Sequence, residues 1–570
     1  MRRQPSAGKW QRAAYIDVHM GAAEPNEVTE TPDRNGAFPR LSEGQVETLT
    51  ERGSRMGTTA GERLYRQGDS PYDFFVILAG LVSAHTDPEA VEPAVSVSGP
   101  RRFLGELSLL TGQPAFYTTV VREAGEVLQV DPETLRELVG EDPALGDLVL
   151  RAFLLRRELL SGLGAGLKIV GSRYLPDTRR ICDFAARNRL PFRWIDPERD
   201  PRAEELLERL GIPPEETPVV VWGSRVWRNP SNAELAAAAG MREQPPRDRV
   251  SDLVVVGAGP AGVAATVYGA SEGLLTVAID GVAVGGQAST SSRIENYLGF
   301  PSGISGAELA ERATIQARKF GARIGVGAAA VGLERGDGTH AIQFEDGTSL
   351  ETRALVIATG ARYRRLPVDR LEHFEASNIH YEATFMEEQL CVGAPVAVVG
   401  GGNSAGQATV FLSHRASKVY LLIRHERLTR DMSRYLADRI ERLPNVEVLR
   451  STEIRELVGA DSLDGVVVED LKSGERHRLD VRELFVFIGA EPCTDWLDGV
   501  VPLDDHGYVL TGSGAAADGG NGAAPPALLE TGVPGILAAG DVRAGSIKRV
   551  ASAVGEGAMA VRLVHAQLES

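Results

Sequence analysis

Leu253-Val254-Val255-Val256-Gly257-Ala258-Gly259-Pro260-Ala261-Gly262 decides how this chain is read. Residues 253–256 form a short apolar strand and the run from Val263 is helical, so three glycines turn a strand straight into a helix. That geometry aims backbone N–H groups and the positive end of a helix dipole at a pyrophosphate. Gly257 permits the tight turn, Gly259 lets backbone approach the phosphates, and Gly262 lets helix and strand pack closely. Pro260 opens the helix without wasting a donor. Asp280 closes the next strand, residues 276–279, at about the 20-residue spacing of an acid that binds a ribose.

Outside that stretch, composition narrows the classes. At 570 residues the chain has room for about three to four domains. A net charge of −17 argues against a nucleic-acid surface, which needs clustered Lys and Arg. No run approaches the roughly 20 apolar residues of a membrane span. The N-terminus has no apolar signal core, so a cytoplasmic protein is expected. Cys182, Cys391 and Cys493 lie too far apart in sequence for a disulfide framework or a Cys-x-x-Cys pair.

Residues 1–38 mix Arg, Gly, Pro and Glu without a period and read as a flexible tail. Residues 39–160 are β-rich and close with a helix. Residues 61–69, then Phe74-Phe75-Val76-Ile77-Leu78-Ala79-Gly80, then Phe103-Leu104-Gly105-Glu106-Leu107 resemble the cyclic-nucleotide-binding domain. The resemblance implies a β-barrel whose phosphate cassette opens at Gly105 and whose Glu106 holds ribose hydroxyls. The family pairs the cyclic phosphate with a later Arg, but here Pro114-Ala115-Phe116-Tyr117 occupies that stretch. Losing a charge-assisted pair removes the main attraction for a phosphodiester. A barrel kept for regulation or packing therefore stands beside a cyclic-nucleotide sensor, and no helix-turn-helix follows.

Residues 166–240 alternate strand and helix, with Thr217-Pro218 before a strand. Order and proline together resemble a glutaredoxin- or thioredoxin-like domain, which implies a cis Pro218. Its redox cysteines would fall at Ser172-Arg173-Tyr174-Leu175-Pro176, where there are none, and Cys182 reads as a small core residue. Such a domain is expected to serve as an interaction module. Residues 241–250 read as a linker.

A second strand, residues 396–399, runs into Gly400-Gly401-Gly402-Asn403-Ser404-Ala405 and a helix. The strand after it, residues 418–423, ends in Arg424 and His425 rather than an acid. A terminal acid favours a free 2′-hydroxyl and a terminal Arg a 2′-phosphate, so FAD is expected at the first cradle and NADPH at the second. Thr359-Gly360 ends another strand with room for a cofactor. Near the C-terminus Gly540-Asp541 closes a strand, where an Asp can hydrogen-bond a ribityl chain, and Arg549-Val550 begins a final helix whose N-terminus can stabilise negative charge on a reduced flavin. Residues 512–526 are Ala/Gly-rich, as in a surface insertion.

These motifs, with Gly285-Gly286-Gln287 and Glu295-Asn296-Tyr297, follow one another in an order that resembles the thioredoxin reductase-type flavoproteins from residue 251 to 570. The resemblance implies two Rossmann-like domains: an FAD domain in two pieces, 251–366 and 490–570, and an inserted NADPH domain, 367–489. It implies a homodimer. FAD roles fall on Gly257, Gly259, Gly262, Asp280, Gly286, Gln287, Asn296 and Asp541. NADPH roles fall on Gly400, Gly402, Asn403, Ser404, Ala405, Arg424 and His425. One departure is specific: the family's Tyr-Cys-Ala-Thr-Cys is here Tyr381-Glu382-Ala383-Thr384-Phe385. A disulfide relay needs two thiols, which Glu382 and Phe385 cannot supply; Glu382 is at most a proton donor or acceptor near the flavin. The expected function is hydride transfer from NADPH to FAD and on to an acceptor other than an internal Cys-x-x-Cys. Ferredoxin–NADP reductase activity, thioredoxin-disulfide reduction and a non-enzymatic sensor are the alternatives.

Overall fold

The computed structural model describes residues 29–85, 94–105, 113–162, 166–200, 202–223, 225–242, 250–291, 293–375, 378–381, 383, 385–460, 462–497, 499–515 and 526–569. Among them no helix is long and apolar enough to cross a membrane.

The N-terminal sheet is built on two long antiparallel strands, Phe74–His85 and Thr118–Val130, paired from Phe74 opposite Val130 to His85 opposite Thr118. Their register shifts around Gly80, where φ is 87° and a Cβ would sit 2.4 Å from the Glu123 carbonyl. Only glycine fits that kink. The expected tail is shorter than residues 1–38. Thr31 N–H donates to Val97 O at 2.9 Å, and the Ala37 carbonyl accepts from buried Arg156 Nε at 2.6 Å. Residues 1–28 lie outside the described residues, as does cassette residue Glu106.

A helix, Glu43–Arg52, was not anticipated: Ser42 and Gln45 form a capping box, but Leu49 is its one buried residue, so no apolar period announces it. Two helices, Pro132–Glu141 and Pro143–Gly162, close this unit where one was expected. Asp142 separates them, its Oδ1 accepting from the N–H groups of Ala144 and Leu145.

A four-stranded sheet follows, in the order Phe192–Ile195, Leu167–Val170, Val219–Trp222, Arg225–Arg228. Its first pairing is parallel and the other two antiparallel. The Thr217-Pro218 peptide is cis. This unit shares one apolar core with the N-terminal sheet, and Phe116 stacks on Trp222 at 5.8 Å. The expected linker begins inside that core. Met241 is buried and its carbonyl accepts from Val326 N–H at 3.0 Å, while residues 243–249 are outside the described set.

The first nucleotide unit is a seven-stranded sheet with Ser251–Val256 at its centre. Thr276–Asp280 and Ser349–Ile357 flank it in parallel, and Ile536–Ala538 joins Ser349–Ile357 from far along the chain. Strands buried on both faces read as unbroken apolar runs, which is why residues 253–256 were conspicuous. The second unit is a five-stranded parallel sheet in which Pro395–Val399 lies between Lys418–Ile423 and Glu483–Val486. Ala361–Tyr363 and Ala490–Pro492 pair where the chain leaves the first unit and returns. The final helix, Val550–Leu568, continues well past Ala560, where it was expected to stop.

Candidate active site: two nucleotide cradles and a cleft without paired thiols

Each glycine of the first cradle has a distinct steric reason. Gly257 has φ 98°, and a Cβ there would lie 2.3 Å from the Ala358 carbonyl. At Gly262 a Cβ would lie 1.8 Å from the Gly257 carbonyl, so strand and helix meet backbone to backbone. Gly259 instead faces space: the nearest atom to its Cβ would be Gly286 Cα at 3.9 Å. Gly259 also begins the Pro260–Ser271 helix with no side-chain cap, which leaves its first-turn N–H groups for a ligand. The 285–287 turn closes on this loop, Gly285 N–H donating to Ala258 O at 2.7 Å. Asp280 braces it from the strand end, Oδ2 accepting from Ala258 N–H at 2.8 Å and Oδ1 from Val282 and Ala283 N–H.

Other expected residues gather around the loop. Gln287 Nε2 donates to the Ala361 carbonyl, Thr359 Oγ1 to the Cys493 carbonyl at 2.8 Å, and Gly360 O accepts from Cys493 N–H at 3.0 Å. A Cβ on Gly540 would lie 2.9 Å from Ala261 Cβ, which brings the Gly540-Asp541 turn onto the first helix. The Asp541 carboxylate makes no hydrogen bond among the described residues, and burial pushes its pKa up. A half-buried acceptor with no donor fits a polyol such as a ribityl chain. Asn296 is exposed on its loop, and Arg549 and Val550 cap and begin the last helix. One residue escaped the sequence reading. Glu556, the one carboxylate on the last helix, accepts from Gly540 N–H at 2.7 Å and pairs with Arg543 at 2.6 Å, fixing the turn that presents Asp541.

The second cradle repeats the construction. Gly400 has φ 144° and its Cβ would meet the Phe487 carbonyl at 2.2 Å, whereas Gly402, the N-cap of Asn403–Leu412, would meet nothing within 4 Å. Ala405 is buried beneath it and Ser404 exposed at its mouth. Asn403 has a role not foreseen: its Oδ1 accepts from Ser433 N–H at 2.8 Å, tying the loop to the Arg434–Ile440 helix. Arg424 is exposed and pairs with Glu453 at 2.7 Å; His425 Nδ1 meets Arg430 Nη1 at 2.8 Å. Three bases at one strand end, Arg424, His425 and Arg430, suit a 2′-phosphate. Charge-assisted hydrogen bonds are worth about 1.5–3 kcal/mol. Arg424→Leu should therefore raise KM for NADPH about tenfold or more while leaving KM for NADH nearly unchanged, which steady-state kinetics with both coenzymes will show.

Of the three thiols, Cys182 and Cys391 stand apart from the first cradle, while Cys493 lies beside its Thr359-Gly360 turn. Cys182 is buried in the N-terminal core, and burial pushes its thiol up to about 12. Cys391 is fully buried in the second unit and Cys493 half-buried, and burial pushes both up. None is a thiolate near neutrality. Glu382 lies outside the described residues. Among those described, no cluster of His, Cys, Asp and Glu could hold a metal.

Residues 251–557 match the family described as pyridine nucleotide-disulphide oxidoreductase, and residues 58–142 match the cyclic nucleotide-binding domain. The chain belongs to the pyridine nucleotide-disulphide oxidoreductase family. It is 36% identical over 326 residues to the thioredoxin reductase of Eremothecium gossypii, covering 54% of this chain and 95% of that protein. It is 33% identical over 309 residues to a 34.2 kDa protein in the rubredoxin operon of Clostridium pasteurianum, covering 54% and 94%. Among solved structures it is similar to T. acidophilum thioredoxin reductase, with a TM-score of 0.51 and 27% identity over 57% of this chain and 100% of that one. The chain is a thioredoxin reductase-like flavin oxidoreductase that uses FAD and NADPH.

Proposed function

We propose that NADPH reduces the flavin and that the electrons leave for an acceptor other than a cysteine pair of the chain's own. The observation that carries this reading is Tyr381-Glu382-Ala383-Thr384-Phe385, without sulfur where the family keeps its disulfide, together with two buried thiols and one half-buried one, all pushed up by burial. Bound in the first cradle, the flavin supplies two-electron chemistry. The chain's own residues do the rest. Gly257, Gly259 and the uncapped Pro260–Ser271 helix bind pyrophosphate; Asp280 orients the adenosine ribose, and Asp541 the ribityl chain. Arg424 and His425 select the phosphorylated coenzyme.

A protein redox carrier, a quinone-like molecule and oxygen all fit as acceptors. Ferredoxin–NADP reduction and direct thioredoxin-disulfide reduction are the alternatives to this reading. The cis Pro218 and the order of the four-stranded sheet support a thioredoxin-like module without cysteines, serving interaction rather than redox chemistry. Assembly as a homodimer belongs to the same proposal. The buried aromatic stretch around Phe116, stacked on Trp222, supports a packing and regulatory role for the N-terminal domain over binding of a cyclic nucleotide.

The test replaces Cys182, Cys391 and Cys493 together with Ala, which removes the sulfur without stranding a hydroxyl at the two buried sites. NADPH-driven turnover, measured against a ferredoxin, a thioredoxin and a quinone, should stay within about twofold of the parent for the fastest acceptor. Loss of turnover in a folded, FAD-loaded variant would place sulfur on the electron path.

A further inference from the structure

A cleft of about 1390 Å³ lies between the Pro176–Arg187 helix and the two nucleotide units. Ordinary small-molecule pockets occupy roughly 300–1,000 Å³. Its walls include Arg173, Tyr174 and Pro176, from the strand-to-helix turn that carries no cysteines, and His380 and Tyr381, beside the second cysteine-free segment. Gln287 of the flavin-side turn lines it as well.

Its charge is not that of the chain, which carries −17 overall. Arg179 and Arg187 both line the cleft, two helical turns apart on one face of the helix, and both are half-buried. Neither meets a carboxylate among the described residues. Arg179 donates to the Glu375 carbonyl at 3.0 Å and meets His380 Nδ1 at 2.5 Å. Arg187 donates to the Gly286 carbonyl at 3.2 Å, and its Nε is buried with no acceptor among the described residues. Eight arginines line the cleft against five carboxylates, Asp183, Glu375, Glu387, Asp464 and Glu483; Glu375 is taken by Arg365 and Tyr381 and Glu483 by His380, so the balance of the walls stays positive.

A guanidinium held out of water without a counter-charge is costly, and an incoming anion removes that cost. Two further groups await a partner. The hydroxyl of Thr178, which is 1% exposed and lines the cleft, has none among the described residues, and the helix is capped at Leu175 with no side-chain hydrogen bond. Tyr174, Leu390 and Val392 add exposed apolar surface to the same walls.

We propose that this cleft binds a small organic anion with an apolar body, the class that includes sulfonated and carboxylated quinones. As the seat of the electron acceptor it rests on the function proposed above; as a binding site it stands without it.

The test titrates the full-length, FAD-loaded protein, without NADPH, with a naphthoquinone sulfonate and with uncharged menadione, by calorimetry. The sulfonate should bind about tenfold or more tightly than menadione, the worth of one charge-assisted contact. Arg179→Gln should erase most of that preference. Because Arg179 also holds His380 and Glu375, Arg199→Gln provides a second variant: Arg199 lines the cleft, is exposed and makes no side-chain bond among the described residues. It should weaken the sulfonate about threefold and leave menadione unchanged. Equal binding of the two quinones, or a preference that survives both substitutions, overturns the proposal. NADPH reduction of the flavin, recorded on the same samples, separates the two ideas. Selective sulfonate binding without flavin reduction keeps this site and sinks the proposed function, and the reverse pattern does the opposite.

Discussion

Gly262→Val is expected to yield a colourless full-length protein. A Cβ at this position would sit 1.8 Å from the Gly257 carbonyl and 3.2 Å from Ala358 Cβ, so the Pro260–Ser271 helix must move off the strand. Moving the helix shifts its first-turn N–H groups away from the phosphates and parts the Gly540 turn from Ala261. Overpacking of this kind costs about 1–3 kcal/mol in stability, and the misplaced cradle should add a loss of FAD affinity of about a hundredfold or more. Gly259→Ala separates the two effects. Its Cβ would meet nothing in the protein closer than 3.9 Å, so the melting temperature of the apoprotein should hold while FAD affinity falls. Flavin absorbance after reconstitution and melting curves of both variants report the outcome. A yellow, fully loaded Gly262→Val protein would mean that the loop does not cradle the pyrophosphate.

Glu311→Gln should be the most destabilising single change of charge. Glu311 is 8% exposed on the Gly306–Lys319 helix and pairs with Arg157 at 3.4 Å and with Arg189. Arg157 belongs to the helix that closes the N-terminal domain, and it also donates to the carbonyls of Asn188 and Arg189. One carboxylate therefore holds three units together. Burial lowers the Arg157 pKa to about 10, with the Glu311 charge working against that loss. Removing the partner of a buried charge costs about 3–5 kcal/mol, because the buried Arg157 guanidinium loses the charge that offsets its desolvation. Thermal unfolding of the full-length protein should begin several degrees lower, with the N-terminal domain released first and flavin retained to a later transition. An unchanged melting profile would mean the triad contributes nothing to docking.

The two nucleotide cradles were legible in the sequence because each is local. Strand, glycine loop, helix and terminal residue lie within about 30 residues, and parallel strands buried on both faces print as apolar runs. Residues 418–423 were delimited as Lys418–Ile423 for that reason. What joins the units was not legible. Arg157 with Glu311, Phe116 on Trp222 and Gln113 with Met241 each link residues more than 100 apart, and nothing in a local pattern distinguishes a buried arginine from a solvated one. Glu556 was missed on the same ground, as a single carboxylate on a mostly apolar helix whose partners lie outside that helix. The Glu43–Arg52 helix shows the complementary case: its capping box was readable, but one buried leucine gave no period to support it.

The most direct measurement is an anaerobic reductive titration of the full-length, FAD-loaded protein, followed at the flavin band near 450 nm. Paired cysteines beside the flavin would store about two electrons in addition to the two that FAD takes. The account predicts complete bleaching by one equivalent of NADPH, about two electrons per flavin, and the same endpoint in the cysteine-free variant. Uptake of about four electrons per flavin, falling to two when the cysteines are replaced, would contradict it.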